Sequence, residues 1–331
     1  MKNVILVLTN SEDGEHSSIV IEKLEKKGEE VFRFDVDKIT RKEAKIYFSA
    51  DPTQFNFVIE CSGRKLNFQN VKSVWYRRPN KFDFEITDPI QRQFAEKELS
   101  AFLDGLWLSA EGAFWLNDFR NLEIARSKIL QLKIAREIGF NIPRTIVTND
   151  PMAVRELFAE CDDGVIFKTL KQSFIKKSGK GFNIPTTLLN GHHFNKLNLI
   201  EGLPSLFQEY IDKQYELRIT IVGNEIFPVL IDSQNNSLTV VDWRRPEVID
   251  KIKYVPVCLP DNISSFCFLL MERLGLYFGA IDLVVNKKGR YFFLEINPNG
   301  QWYWLEHLCG IGVSDAIANA LISAGDRKER R

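Results

Sequence analysis

The chain has no excess of either charge. Its 331 residues carry 44 Lys and Arg against 44 Asp and Glu, which removes the basic field that a nucleic-acid or anionic-membrane partner calls for. Its five cysteines, Cys61, Cys161, Cys258, Cys267 and Cys309, are scattered and include no Cys-x-x-Cys pair. Neither a disulfide framework nor a zinc site is indicated, and a reducing cytoplasm suits them. No apolar run approaches bilayer length. The opening Val4–Leu8 run is cut short by Asn10, Glu12 and Asp13 and has no small-residue cleavage site, so it reads as a first strand rather than a signal peptide. Also missing are a Gly-x-Gly-x-x-Gly loop, a Walker-type phosphate loop, any internal repeat and any low-complexity tract. What remains is a cytoplasmic globular protein with 44% hydrophobic residues, long enough for two or three cores.

Apolar periodicity divides the chain. Val4–Leu8, a helix through Lys27 stopped by Gly28, and Val31–Phe34 form a βαβ opening, which predicts a small parallel sheet. Strands are expected at 45–49, 56–60 and 72–76, a long helix at 89–110, and a second helix at 121–138 that ends at Gly139 with Pro143 beyond. Strands at 144–148 and 165–170 flank a helix from Pro151. Residues 171–182 alternate Lys171, Lys176, Lys177 and Lys180 with Ser and Gly and read as a basic, flexible loop. Strands at 207–211, 217–222, 225–231, 238–243 and 278–297, with helices near 260–274 and 312–325, complete the chain. The expected domains are 1–120 (α/β), 121–203 (a small α+β unit), 204–325 (a larger α+β unit) and a charged tail, 326–331.

One segment breaks its own pattern. In Phe278-Gly-Ala-Ile-Asp282 and Phe-Leu-Glu295-Ile-Asn297-Pro298-Asn299-Gly300, two carboxylates and an amide interrupt apolar strand sequence. Asn286 to Gly289 supply turn chemistry, so the flanks predict a hairpin. Glu295 and Asn297 share a face. A two- or four-residue loop centred on Lys288 and Gly289 places Asp282 opposite Glu295, with Cβ atoms about 5 Å apart. At that separation two bare carboxylates repel by roughly 3–4 kcal/mol at an effective dielectric near 20. A divalent cation with oxygen ligands and room for phosphate relieves this, which fits magnesium better than an all-protein calcium cage.

These residues resemble the magnesium signature of the ATP-grasp ligases, an Asp followed by Glu-x-Asn at a hairpin end. The string Leu-Glu-Ile-Asn-Pro-Asn-Gly-Gln-Trp is similar to the microviridin-type, or graspetide, ligases that macrocyclise ribosomal peptides. The resemblance covers nearly the whole chain. It implies an ATP-grasp fold, two α+β halves clamping ATP, behind a small parallel-sheet N-terminal domain. It also implies ATP and Mg²⁺ as cofactors, with Asp282, Glu295 and Asn297 as metal ligands.

Other residues take roles from the same resemblance. Lys168, a lone cation in Val-Ile-Phe-Lys-Thr-Leu, is costly unless an anion meets it or it snorkels from an edge strand; in the family this lysine contacts phosphate. Lys128 matches a helix lysine that also reaches phosphate. Glu209, Tyr210 and Ile211 resemble the segment whose backbone meets the adenine edge, and Glu216 takes the place of the ribose-binding acid, commonly Asp in relatives. Arg218 shares a strand face with Glu216, which also fits a surface ion pair of little energetic value. Arg218 and Arg244, in Asp242-Trp-Arg-Arg245, are expected to stabilise the transferred phosphate. Arg77 and Arg78, closing Ser-Val-Trp-Tyr, resemble a motif of these maturases and read either as a carboxylate clamp for an acidic peptide or as a surface cation pair. Trp302 and Trp304 either wall a peptide groove or pack in the core. His307 reads as structural.

The implied reaction is activation of Asp or Glu side chains of a ribosomal precursor peptide as acyl phosphates, followed by ester closure with Thr or Ser, or amide closure with Lys. The expected partner is therefore a leader plus a core rich in Thr, Glu and Asp, with no nucleic acid or membrane; pairing into a homodimer is left open. Two alternatives stand beside it: a ligase adding free amino acids to a peptide or protein end, and a nucleotide-binding regulatory module without turnover.

Overall fold

The computed structural model describes residues 3–79, 82, 84–171, 174–177, 180–244 and 251–327, with the backbone alone described at 174–177, 180–183 and 324–327. The N-terminal part runs β1 (Val4–Thr9), α1 (Glu15–Lys26), β2 (Glu30–Asp35), α2 (Asp37–Thr40), β3 (Ala44–Ala50), β4 (Phe55–Cys61), β5 (Arg64–Asn67), β6 (Val71–Tyr76), α3 (Pro89–Ser109) and β7 (Phe114–Leu116). The middle follows with α4 (Phe119–Ala125), α5 (Lys128–Ile138), β8 (Thr145–Thr148), α6 (Pro151–Glu160), β9 (Val165–Lys168), β10 (Phe174–Lys177), β11 (Lys180–Asn183), β12 (Thr187–Leu188), α7 (Gly191–Phe194) and β13 (Ser205–Glu209). The C-terminal part is β14 (Lys213–Val222), β15 (Glu225–Asp232), β16 (Lys253–Pro256), α8 (Asp261–Arg273), β17 (Phe278–Asn286), β18 (Tyr291–Asn297), α9 (Tyr303–Cys309) and α10 (Val313–Arg327).

Strand β1 is buried along its whole length, as its unbroken apolar run requires. It lies inside a parallel sheet of order β2-β1-β6-β7. Alternation sends Ile5 and Val7 to a core shared with α1 and α10, and Val4, Leu6 and Leu8 to a core shared with α3 and the β3-β4-β5 sheet. The last helix therefore returns to cover the first sheet. A second sheet, β12-β9-β13-β8, and a third, β16-β15-β14-β17-β18, follow in the chain. Strand β13 pairs with β8 and β9, so the second sheet runs to Glu209. Helix α5 packs on the third sheet through Ile134 and Ala135, so part of the expected middle domain contributes to the C-terminal core.

Three further expectations differ. The helix expected over 121–138 is two helices, because the Ser127 side chain caps α5 by accepting from Leu130 N. Residues 238–243, expected as a strand, form turns; the Thr239 hydroxyl donates to the Ser233 and Asn236 carbonyls and closes a compact loop. Residues 174–177 and 180–183 pair as antiparallel strands β10 and β11 where a plain loop was expected. Their lysine side chains, like Arg245 and 328–331, lie outside the described residues. Among those residues no helix is long and apolar enough to cross a membrane.

Candidate active site

A cavity of about 520 Å³ is lined by Ile166, Lys168 and Gln208 of the second sheet and by Glu216, Arg218, Asp282 and Glu295 of the third. Tyr210 and Ile211, which join the two sheets, lie along it, and Arg78, Arg244 and Trp304 reach it from other elements. Asp282 does stand opposite Glu295, but not by the expected turn. The loop has three residues, with Asn286 N donating to Arg290 O at 3.0 Å. Alone it would offset the register by one, and a bulge at Leu294 restores it. The same bulge turns Leu294 to the cavity side with Glu295.

The two acids do not face each other bare. Arg218 lies directly across from Asp282 on β14 and pairs with it at 3.0 Å. Glu295 is met by Lys128 at 3.0 Å and Arg244 at 3.7 Å. The repulsion expected from sequence is thus already neutralised by the chain's own cations. The acids nevertheless differ. Burial pushes the Asp282 carboxyl well above its ordinary range, against the pull of Arg218. Burial works the same way on Glu295, but Lys128, Arg244 and Lys168 together overcome it and hold that carboxyl low.

Lys168 is held by an amide: its Nζ donates to Gln208 Oε1 at 3.0 Å, and Gln208 Nε2 donates to Thr145 Oγ1 at 2.9 Å. Burial lowers the ammonium to about 8. An anion bound there needs the protonated form, so its affinity should fall as pH rises past 8. Titration of ADP against the protein between pH 7 and 9 should show that loss in the wild type and not in Lys168→Met. Equal pH dependence in both would place the effect elsewhere.

Arg244 is set by Asp242, which accepts from its Nε at 2.9 Å and Nη2 at 3.1 Å. Glu216 is paired with Lys213 at 2.7 Å, and Lys213 also donates to Val241 O. Glu209 N and Tyr210 N donate to the Arg144 and Gly164 carbonyls, so both of these linker amides are taken up within the protein. Asn297 lines the cavity beside Glu295. Gln208, Lys213 and Asp242 are the site residues that sequence reasoning did not single out. Asp242 had a signal, standing two residues before Arg244; Gln208 and Lys213 become visible only through pairing across strands.

Two expected substrate residues do not reach the cavity. Trp302 is fully buried in the core with α1 and α10, edge-on to His16 at 5.1 Å. The wall is Trp304, packed against Trp243 and Tyr254. Arg77 is 2% exposed, and its Nη1 donates to Asn299 O at 2.8 Å and Gly300 O at 3.2 Å. Its guanidinium is taken up by main-chain carbonyls inside the protein rather than facing solvent. Arg78 is exposed and lines the cavity.

Among the described residues no three His, Cys, Asp or Glu side chains gather as a metal cage. Two carboxylates and an amide on one hairpin face instead leave most of a coordination sphere to phosphate oxygens and water, as magnesium prefers. The donor set fits that ion.

The geometry defines an ATP-grasp ligase: two sheets lining one cavity where cations and acids meet, with Asp282 and Glu295 on the terminal hairpin. Residues 4–123 match the family model described as the MvdD pre-ATP grasp domain. The structure resembles macrocyclase MdnC from Microcystis aeruginosa MRC, solved with precursor peptide MdnA, at TM-score 0.87 and 32% identity over 97% of this chain and 99% of that one. A RiPP-associated ATP-grasp ligase of Chryseobacterium gregarium, solved with ADP and a leader and core peptide, matches at TM-score 0.88 and 31% identity, covering 97% of each chain. A probable alpha-L-glutamate ligase of Histophilus somni (strain 2336) is 21% identical over 211 residues, 62% of this chain and 66% of its own length. The chain therefore spans a little under two thirds of that curated relative. It belongs to the ATP-grasp macrocyclase family of ribosomal peptide maturation.

Proposed function

We propose that the protein uses ATP and Mg²⁺ to join Asp or Glu side chains of a ribosomal precursor peptide to Thr or Ser hydroxyls of the same peptide, closing macrocyclic esters, with Lys amides as the variant chemistry. The observation that carries this reading is the convergence of Asp282, Glu295, Lys168, Arg218 and Arg244 on one cavity beside Arg78. Two family members at 32% and 31% identity were solved with a precursor peptide, or with leader and core peptides and ADP, which supports a peptide substrate.

ATP passes its terminal phosphoryl group to the peptide carboxylate, giving an acyl phosphate and ADP. The hydroxyl oxygen then attacks the acyl carbon, phosphate leaves, and the hydroxyl proton is lost. Asp282, Glu295 and Asn297 would hold the magnesium, which supplies charge neutralisation to the phosphates when bound. Lys128, Arg218 and Arg244, the cations beside these acids, would meet phosphate oxygens, and Lys168 would add a buried ammonium. Glu216 is the proposed ribose contact and the Glu209–Ile211 linker the proposed base contact. Arg78 orients the acidic core peptide.

Hydroxylamine added during turnover tests the activation step. It should leave a hydroxamate on an Asp or Glu side chain of the peptide, only with ATP present. A modified peptide formed under the same conditions without any trapped hydroxamate would contradict acyl-phosphate activation. Arg78→Ala should raise the peptide KM roughly tenfold, the size of a lost charge-assisted contact, and leave ADP affinity within about twofold. An equal loss of ADP affinity would move Arg78 to the nucleotide.

A further inference from the structure

The main chain that follows Glu295 is gripped by buried side chains from three distant elements. Gln131 of α5, 2% exposed, matches both polar groups of Ile296: its Oε1 accepts from Ile296 N at 3.0 Å and its Nε2 donates to Ile296 O at 2.9 Å. Asn117, 1% exposed, donates to Pro298 O at 3.0 Å and ties that oxygen to the start of β17 by accepting from Tyr277 N and Phe278 N. Arg77 donates to the Asn299 and Gly300 carbonyls. Asn297 O accepts from Gly300 N at 3.2 Å. Every carbonyl from Ile296 to Gly300 is therefore satisfied inside the protein, across the point after Asn297 where the chain leaves the ladder. Gly300 closes the segment against β17, where an added Cβ would stand 2.4 Å from Ala280 Cβ.

Ile296 lies between Glu295 and Asn297. Its two-point amide pairing imitates a further strand, and so fixes the direction in which its two neighbours leave the backbone. Gln131 also donates to Ala125 O at 2.6 Å, across the break between α4 and α5. Lys128, which pairs with Glu295, sits one helical turn before Gln131. We infer that Gln131 is a positioning residue for the metal-holding end of β18, with Asn117 and Arg77 extending its grip, and that this grip sets the magnesium-dependent affinity for nucleotide. The inference rests on the proposed metal role of Asp282, Glu295 and Asn297.

The test is ADP binding by titration calorimetry, on the full chain, with magnesium and with EDTA. Wild-type protein should bind more tightly with magnesium. In Gln131→Met, which keeps the volume and loses the amide, that gain should shrink roughly 10–100-fold, the range for partners that orient metal ligands. Affinity in EDTA should stay within about twofold. Ile134→Ala cuts into the packing of the same helix while leaving both Gln131–Ile296 hydrogen bonds in place and should retain the gain. A full magnesium gain in folded Gln131→Met overturns the inference while leaving the metal site standing, and an equal loss in Ile134→Ala reduces Gln131 to packing. No magnesium gain in the wild type would overturn the metal reading itself. Should Gln131→Met not fold, hydrogen exchange of the wild type decides. The amides of Ile296 and Gly300 should be protected before ligand is added, and a large rise in their protection on adding ADP and magnesium would show that the segment is not held in advance.

Discussion

Glu295→Gln should lower turnover at least about 10³-fold, on the order of 4 kcal/mol of lost transition-state stabilisation, and should also destabilise the fold. The second effect follows from the pairs observed. Glu295 is the anion that Lys128, at 3.0 Å, and Arg244, at 3.7 Å, have in common. An amide removes the carboxylate that pairs with Lys128 and leaves Arg244 with Asp242 alone, and losing one partner of a buried pair costs roughly 3 kcal/mol. Thermal unfolding should therefore begin at a lower temperature than in the wild type. Asp282→Asn should lose turnover as completely with a smaller change in stability. Burial already penalises the Asp282 charge, and relief of that penalty offsets the stranding of Arg218. Near-normal turnover of either variant at saturating magnesium would remove the pair from the metal site, and a more stable Glu295→Gln would contradict the charge account.

Lys168→Met should cost about 10²–10³-fold in turnover, as removal of one preorganised charge donor does elsewhere, with ATP bound more weakly. The fold should hold, since a methionine replaces a desolvated amine at similar volume. Gln208 then loses one of its two side-chain partners and keeps Thr145. Unchanged turnover together with unchanged nucleotide affinity would make Lys168 a structural lysine held by Gln208.

The site was legible wherever polar residues interrupted an apolar strand. Asp282, Glu295 and Lys168 stand out because a charge inside a buried run needs a reason, and all three line the cavity. Pairing across strands was not legible. The spacing of Glu216 and Arg218 fitted nucleotide contacts and equally a surface ion pair; in the structure Glu216 pairs with Lys213 and Arg218 with Asp282. The facing of Asp282 and Glu295 was expected for an incomplete reason, because a three-residue loop and a bulge offset each other. Two adjacent arginines carry no mark of which is buried: β6 ends at Tyr76, and alternation past its end does not separate Arg77, under Gly300, from Arg78, at the cavity. Trp302 and Trp304 pose the same problem around the start of α9. The return of α10 to the first sheet is a tertiary fact, since its apolar stripe fits any partner of the right shape.

The central claim is most directly tested by the mass of a peptide bearing Thr or Ser with Asp or Glu after incubation with the protein, ATP and magnesium. An intramolecular ester adds nothing and expels water, so the product should be lighter by one water per ring, with one ADP and one phosphate released for each. Mild hydroxide should restore the original mass of ester rings and spare amides. A peptide heavier by an amino-acid residue would contradict macrocyclisation in favour of the chemistry named for the glutamate ligase relatives, and ADP binding with no mass change in any peptide or amino acid would contradict a ligase altogether.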